Sequence, residues 1–520
     1  MKEPTFNQYI ENEIYKTLEK FSGKEKITVS ELLKELSFDV SFGKIIKFSH
    51  SSLFKAVLFM KIKRIKSQSE LARHLRDNRT DSINLGFYVD ETGKLAVPDQ
   101  RTISYFINNM MDEDMRAIMD AIVQKIEETA NKFGIVFDVQ TISIKPEKQC
   151  RTDQTFNERK SKRLNEVCKF VKKNFYPQIR FDARHNAKYS KNELLDSFVY
   201  LCREQTFAHD GLKRLKADSG KRVADSDTFL YRLKKYEDIN EVQEMFISSF
   251  ELMWNTAKSS GLFDRRSYDV AIDFTDWFYY GKRAPMVVRK KPEKGTSKCY
   301  RFATINIVEA GSRFTLLTLP VGLFDTKTDI VDKLITYAKS KIRINRIYAD
   351  RGFFSADIIN LFKRHGLTFL MPATQNARIA RVLRTMPAPS VIKDYEMTDG
   401  KVNFNLVIVS DGGDKRAFAT NIEIDEKETG LAVRLFNLYS KRWGIETSYR
   451  AKKELRARTT SKNYIIRLFY FLFSALLYNI WILIDGIISK SLLGKTITKH
   501  LVTGKMFATI LYNILEDGVK

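Results

Sequence analysis

Three carboxylates stand out by their surroundings. Asp273 lies inside a β-rich run, Asp350 ends a short apolar run just before Arg351 and Gly352, and Glu446 stands among cations. A carboxylate inside a strand is costly unless a cation or a dipole faces it. Carboxylate oxygens are the ligands that Mg²⁺ prefers, and a bound metal ion can activate a water or a hydroxyl for attack on a phosphate ester. These residues therefore predict metal-dependent phosphodiester chemistry.

The third carboxylate belongs to residues 439–453, which we interpret as a helix. Tyr439, Arg442, Glu446 and Lys453 then fall on one face of that helix. A carboxylate flanked by cations suits a place where a metal ion and a phosphate backbone meet. A solvated helix with an i,i+4 Arg442–Glu446 pair explains the same pattern.

Other side chains compete for these roles. Asp276 is the main rival of Asp273, and Asp269 is a weaker one, while Asp350 could simply cap a turn before glycine. The six histidines are scattered and the four cysteines form no CxxC pair, which argues against a zinc site or a disulfide framework and fits a reducing cytoplasm.

The elements that must position the carboxylates follow from residue 267 onward. Their order is β-β-β-α-β-α-β, which predicts an α/β fold with a mixed sheet flanked by helices. In this order the first and fourth strands can lie side by side, bringing Asp273 to Asp350. Glu446 would arrive from a helix packed across the sheet. Residues 372–430 interrupt the pattern and are predicted to be a β-rich insertion.

The chain divides into six predicted segments. They are a helical DNA-binding region (1–140), a basic linker and second helical module (141–265), the first part of the core (266–371), the insertion (372–430), the core's C-terminal helices (431–485) and a helical tail (486–520). Residues 97–105 and 223–231 form a faint repeat that suggests a duplicated helix-turn-helix-like module. Chance and plain helical packing are open alternatives.

Composition favours a polyanionic partner. Lys plus Arg number 88 against 63 Asp plus Glu, a net charge of +25, and such an excess lets a protein neutralise many phosphates. The apolar run Leu468–Ile484 is at the short limit for a membrane span, so we expect a buried core helix and no membrane association.

Together these motifs resemble the DDE transposases of bacterial and archaeal insertion sequences. The spacing of Tyr439, Arg442, Glu446 and Lys453 resembles the Tyr-Arg-Glu-Lys signature of insertion-sequence family four, a cut-and-paste subgroup. Asp273 with Thr275 resembles the family's first Asp motif, and Asp350 with Gly352 and Phe353 resembles the second.

The resemblance implies an RNase H-like core and two Mg²⁺ or Mn²⁺ ions held by Asp273, Asp350 and Glu446, with Asp273 bridging. It also implies cleavage at the inverted repeats of transposon ends, strand transfer into target DNA, a homodimer on DNA and a cytoplasmic, nucleoid-associated location. A domesticated DNA-binding relic and an RNase H-like nuclease without strand transfer are the alternatives.

The same resemblance assigns DNA contacts. Tyr439, Arg442 and Lys453 would hold phosphates, joined by Lys441, Arg450 and Lys452. A flipped base would stack on Trp443 or, as a second candidate, Trp277, although core packing also explains a tryptophan. The basic residues 282–301 would contact DNA or form a solvated hairpin.

Overall fold

A computed structural model describes residues 6–513 with internal gaps. The gaps are 22–26, 39, 41–46, 64, 66, 90–94, 134–152, 180–187, 221, 237, 310–311, 398–401, 412, 425–428 and 496–498. The predicted boundary near residue 140 and the first part of the basic linker lie outside the described residues. The chain forms two compact units, residues 1–141 and 142–520.

The first unit is helical. Its helices are α1 (Phe6–Lys20), α2 (Val29–Glu35), α3 (His50–Ile62), α4 (Gln68–Asp77), α5 (Arg79–Asn84), α6 (Gln100–Tyr105) and α7 (Glu113–Lys132), with a π-helical turn Phe106–Met110 after α6. They enclose a core that includes Leu33, Phe54, Phe59 and Phe106. Several of these helices start with a residue whose side chain caps the helix, because such a cap accepts a hydrogen bond from a backbone N–H that has no partner within the first turn.

The second unit begins with five more helices. They are α8 (Asp153–Phe175), α9 (Lys191–Glu204), α10 (Ala208–Ser219), α11 (Ser226–Lys234) and α12 (Ile239–Ser259). In the sequence repeat, Asp99 aligns with Asp225, and both residues are the extended N-caps of helices, α6 and α11. The aligned copies therefore start a helix at equivalent positions, and the duplicated module stays a prediction.

In the described residues nine strands follow, interleaved with helices. The strands are β1 (Tyr268–Phe278), β2 (Val287–Glu293), β3 (Thr296–Glu309), β4 (Ser312–Val321), β5 (Ile344–Tyr348), β6 (Phe369–Pro372), β7 (Ser390–Met397), β8 (Val402–Asp411) and β9 (Asp414–Thr420). The helices between them are α13 (Lys327–Lys341), α14 (Ala356–Arg364) and α15 (Ala377–Thr385).

These strands form one mixed sheet in the order β2-β3-β1-β5-β6-β9-β8-β7, with β4 also paired to β3. Strand β1 is antiparallel to β3 and parallel to β5. The first strand therefore lies beside the strand that Asp350 follows, as the sequence predicted. The mixed sheet flanked by helices confirms the predicted α/β fold class.

The basic stretch 282–301 contributes a further strand, β2, which forms a hairpin with β3. A hairpin was one of the two alternatives expected for this stretch, whereas the insertion differs from the prediction. The predicted insertion contains an unpredicted helix, α15, and its strand β9 pairs with β6, so its strands extend the central sheet. Backbone pairing along β6 explains this, because an exposed sheet edge accepts another strand.

Helices complete the second unit. They are α16 (Thr429–Tyr439), α17 (Trp443–Glu454), α18 (Tyr464–Leu493) and α19 (Gly504–Asn513), with a 3₁₀ turn Ser440–Arg442 between α16 and α17. The sequence predicted one continuous helix over 439–453. The structure instead has the end of α16 at Tyr439, a 3₁₀ turn and then α17. Tyr439 ends α16, and the Arg442 guanidinium lies 5.4 Å from its ring.

Helix α18 is long and apolar enough to cross a membrane, and 89% of its most apolar window is buried inside the protein. It packs against α8, α12, α17 and β4. Asn479 in its middle bonds both the N–H and the C=O of Thr315, at 2.9 and 2.8 Å. This burial is what the core-helix interpretation predicts.

Candidate active site at the carboxyl ends of the parallel strands

Asp273 lies in the middle of β1 opposite Thr304 of β3. Its Oδ1 accepts a hydrogen bond from the Phe274 N–H at 2.8 Å. Burial, followed by the negative charge of Asp350, raises the pKa of Asp273 to about 7, because together they outweigh the Phe274 hydrogen bond and the charge of Arg442. The carboxyl group therefore sits where positive charge is insufficient.

Asp350 follows β5 and begins the 3₁₀ turn Arg351–Phe353. Its Oδ1 accepts a hydrogen bond from the Gly352 N–H at 2.7 Å. A Cβ at residue 352 would lie 3.0 Å from that oxygen, which favours glycine there. Asp350 caps this turn, and its negative charge also raises the pKa of Asp273. A turn-capping role and a place in the carboxylate cluster are therefore compatible.

Tyr439 bonds the backbone just before the same turn. It is buried, and its hydroxyl donates to the Ala349 carbonyl at 3.1 Å. The buried hydroxyl does not face solvent, contrary to the expectation that Tyr439 holds a DNA phosphate. Its position instead fixes the backbone immediately before Asp350.

Glu446 is bound by its neighbour on the helix. The Arg442 Nη2 donates to Glu446 Oε1 at 2.5 Å, the i,i+4 pair expected from the sequence. Arg442 is largely buried, and its Nε has no hydrogen-bond partner among the described residues. Both side chains act electrostatically on Asp273. Asp273, Asp350 and Glu446 thus belong to one electrostatic cluster.

A divalent cation fits this cluster in part. The repulsion between Asp273 and Asp350 is what a cation would relieve, and oxygen-only donors suit Mg²⁺ or Mn²⁺. Across the described ranges, however, no three acidic, His or Cys side chains are spaced to hold one metal ion together. The bond from Arg442 occupies Glu446, so this third carboxylate would join a metal only after releasing Arg442.

The rival Asp276 is neutralised within the protein. Arg301 donates to both of its oxygens, at 2.7 and 3.0 Å, and Lys290 lies 3.3 Å away. Burial raises the pKa of Asp276, but the hydrogen bonds and charge of Arg301 outweigh it and hold the pKa below its usual value. Asp276 is therefore a structural ion-pair residue.

Asp269, the weaker rival, lies in a separate buried network. Lys441 donates to it at 2.7 Å, and Tyr348 and Asn345 also bond its carboxylate. Lys441 additionally bonds Glu309 at 3.1 Å. Two carboxylates thus bind the Lys441 ammonium, which leaves it poorly placed for the DNA contact expected from the sequence.

Of the remaining cations predicted to bind DNA, one is buried and two are exposed. Lys452 is 2% exposed, packs beside the rings of Tyr449 and Tyr478, and has its pKa lowered to about 7 by burial. It cannot reach a DNA phosphate from this position, contrary to the prediction. Arg450 and Lys453 are exposed, so they keep the geometry that a phosphate contact needs.

The two candidate tryptophans also differ. Trp443 is 59% exposed at the start of α17. Trp277 is partly buried, with the guanidinium groups of Arg456 and Arg467 at 4.0 and 5.0 Å from its ring. Trp443 is the more accessible ring for a base, although the Arg442 guanidinium lies 5.4 Å from it, whereas two closer arginines cover Trp277.

Tyr449 is a site residue that the sequence analysis missed. Its hydroxyl donates to the Asp273 carbonyl oxygen at 2.9 Å and contacts the Thr304 hydroxyl. One signal was available, because Tyr449 lies three residues after Glu446 and so on a neighbouring part of the same helix face.

Comparisons with known proteins bear on this geometry. One similar solved structure is a cryo-EM structure of the piggyBac transposase synaptic complex with hairpin DNA, with a TM-score of 0.44 and 14% sequence identity over 68% of this chain and 77% of that chain. No curated protein matches the chain. Residues 269–480, which contain Asp273, Asp350 and Glu446, match the family of the transposase DDE domain.

Proposed function

We propose that this protein is a DNA transposase that cleaves the ends of a mobile element and joins them to target DNA. The observation that carries the proposal is the electrostatic coupling of Asp273, Asp350 and Glu446 inside the segment that matches the transposase DDE domain. The Tyr-Arg-Glu-Lys spacing supports the cut-and-paste subgroup of insertion-sequence family four.

Asp273 and Asp350 would hold Mg²⁺ or Mn²⁺, with Asp273 shared between two ions. When bound, the metal ions activate the attacking water or 3′-hydroxyl and stabilise the leaving oxygen. Glu446 would complete the ligand set when Arg442 turns to a DNA phosphate. The unpartnered Nε of Arg442 supports this exchange, because a buried guanidinium with an unused donor gains a hydrogen bond on meeting an anion.

The exposed side of α17 would receive the transposon end. Trp443, Arg450 and Lys453 are all exposed on this helix, which also carries Glu446. The two cations would bind phosphates, and the indole would stack on a base that leaves the duplex. In this proposal Tyr439 positions the Asp350 turn, while Lys441 and Lys452 stabilise the protein core.

The partners would be the inverted repeats of the element's ends and a target duplex, bound by a homodimer in the cytoplasm at the nucleoid. The excess of basic residues supports a nucleic-acid partner. The exposed cations of α17 beside the carboxylates support a site that binds and cuts the same DNA.

The experiment uses the purified full chain, end duplexes taken from the DNA that flanks the reading frame, a supercoiled target plasmid and Mg²⁺. We expect end cleavage and plasmid joining by the wild-type protein and neither by Glu446→Gln. Glu454→Gln, an exposed carboxylate on the same helix, is the matched control and should behave as wild type. Cleavage without joining would indicate a nuclease, and binding without cleavage a relic.

A further inference from the structure

The loop between β4 and α13 presents two large apolar side chains to solvent. Leu323 is 58% exposed and Phe324 is 98% exposed, the highest value for a large apolar side chain in the described part of the chain. Adjacent exposed apolar residues of this size mark an interaction site more often than isolated ones do.

Specific bonds hold this loop in place. The Gly322 N–H donates to Asp325 Oδ2 at 2.7 Å, and the Thr326 hydroxyl caps α13 by accepting from the Asp329 N–H. Lys327, the first residue of α13, bonds the Gly352 carbonyl oxygen. The two apolar side chains therefore project from an anchored turn.

Strand directions place the loop beside the carboxylates. Strands β1 and β4 are both antiparallel to β3, and β5 is parallel to β1. All three carboxyl ends consequently lie at one edge of the sheet, where ligands of such sheets bind. The bond from Lys327 to Gly352 ties the loop directly to the turn that Asp350 begins.

The loop's surroundings favour DNA over a purely apolar partner. Lys327, three residues after Phe324, is exposed, and so is Arg351, the neighbour of the Gly352 that Lys327 bonds. The exposed Asp325 beside Phe324 already accepts the Gly322 N–H. Cations that can contact phosphates next to an apolar tip are the arrangement by which proteins insert Phe or Leu between base steps and unstack them.

We propose that Leu323 and Phe324 insert into the duplex beside the bond that is cleaved and hold that base step open. The inference rests on the proposed function and adds a DNA-positioning element to it. Trp443 lies on a different element, α17, so the loop would act on the duplex independently of that ring.

The test compares Phe324→Ala with the wild-type protein on end duplexes carrying 2-aminopurine at successive positions around the cleaved bond. We expect one position to become bright with wild type and to stay quenched with Phe324→Ala. Cleavage of the paired duplex should fall about 10-fold or more, because the unstacking cost is no longer offset. A mismatch at the bright position should restore the rate to within about threefold, since that step is already open.

Leu493→Ala is the matched control. Leu493 is 40% exposed at the end of α18, a helix of 30 residues that spans about 45 Å. Its start is near the loop, because Asp325 acts electrostatically on Tyr464. Leu493 is therefore a remote exposed apolar residue, and Leu493→Ala should match wild type on both duplexes.

Equal cleavage of the paired duplex by Phe324→Ala and wild type would overturn the inference. So would a loss that the mismatch does not rescue, or a change in oligomeric state that shows the loop to be a contact between copies. If wild type itself cleaves no end duplex, the proposed function fails and the loop inference falls with it. Cleavage by the wild-type protein therefore distinguishes a failure of the loop inference from a failure of the proposed function.

Discussion

The Tyr449 hydroxyl donates a hydrogen bond to the backbone carbonyl of Asp273 at 2.9 Å. This bond joins α17 to β1 at Asp273, whose carboxyl pKa is raised by burial and by the charge of Asp350. A second hydrogen bond joins α17 to the neighbouring strand β3, where Asn306 Nδ2 donates to Ser448 Oγ at 2.6 Å. The helix that carries Glu446 is therefore held in register with the strand that carries Asp273.

Tyr449→Phe should slow cleavage without weakening DNA binding. The change leaves the Asp273 carbonyl without this partner, and an unmade buried hydrogen bond costs about 1–3 kcal/mol. If part of that cost falls on the catalytic geometry, single-turnover cleavage should drop about tenfold. An unchanged single-turnover rate would contradict this role, and gel-shift affinity serves as the control for binding.

Asp273→Ala, Asp350→Ala and Glu446→Ala should each abolish Mg²⁺-dependent cleavage while leaving end binding nearly intact. Each change removes oxygen ligands that the proposed reaction needs. Asp276→Asn is the informative comparison, since Arg301 and Lys290 already neutralise that carboxylate. It should lower the melting temperature and retain cleavage. Full cleavage by any of the three alanine variants would remove that residue from the site.

The sequence predicted what depends on element order and motif spacing. Strand order was enough to place Asp273 beside the strand that leads to Asp350. Strand register was not available, so the cross-strand Asp276–Arg301 pair could not be foreseen. Register decides which side chains face each other, and a sequence alone does not fix it.

The sequence also could not predict which side chains of α17 are buried. Lys452 and Lys453 are adjacent and chemically identical, yet one is buried and the other exposed. The 3₁₀ turn Ser440–Arg442 interrupts the α-helical repeat between Tyr439 and α17, so one helical wheel does not describe the whole stretch. Tertiary packing across β1 and β3 determines the outcome.

Lys453→Ala should reduce the salt dependence of DNA binding. Each phosphate contact that is lost lowers the slope of log affinity against log salt by about 1. Lys452→Met should leave that slope unchanged, because the buried ammonium makes no phosphate contact. Arg442→Ala should reduce the slope as well if Arg442 turns to a phosphate in the complex. Fluorescence anisotropy at several salt concentrations measures all three, and an unchanged slope for Lys453→Ala would place that side chain away from DNA.

Lys452 should also make stability depend on pH. Burial lowers its pKa from 10.5 to about 7 in the folded protein. Between these values the unfolded chain binds a proton that the folded chain does not, so this group makes stability rise with pH. Below pH 7 both states are protonated, and the cost of burying the charge is fully present.

Lys452→Met removes that cost while filling similar space. At pH 6.5 the variant should melt at a higher temperature than wild type. By pH 9 the difference in stability should narrow by roughly 3 kcal/mol, because about two pH units of the shift are then relieved. Lys453→Met, an exposed neighbour, should show no such narrowing. A gap between Lys452→Met and wild type that stays constant from pH 6.5 to pH 9 would mean that Lys452 is not held in its neutral form by burial.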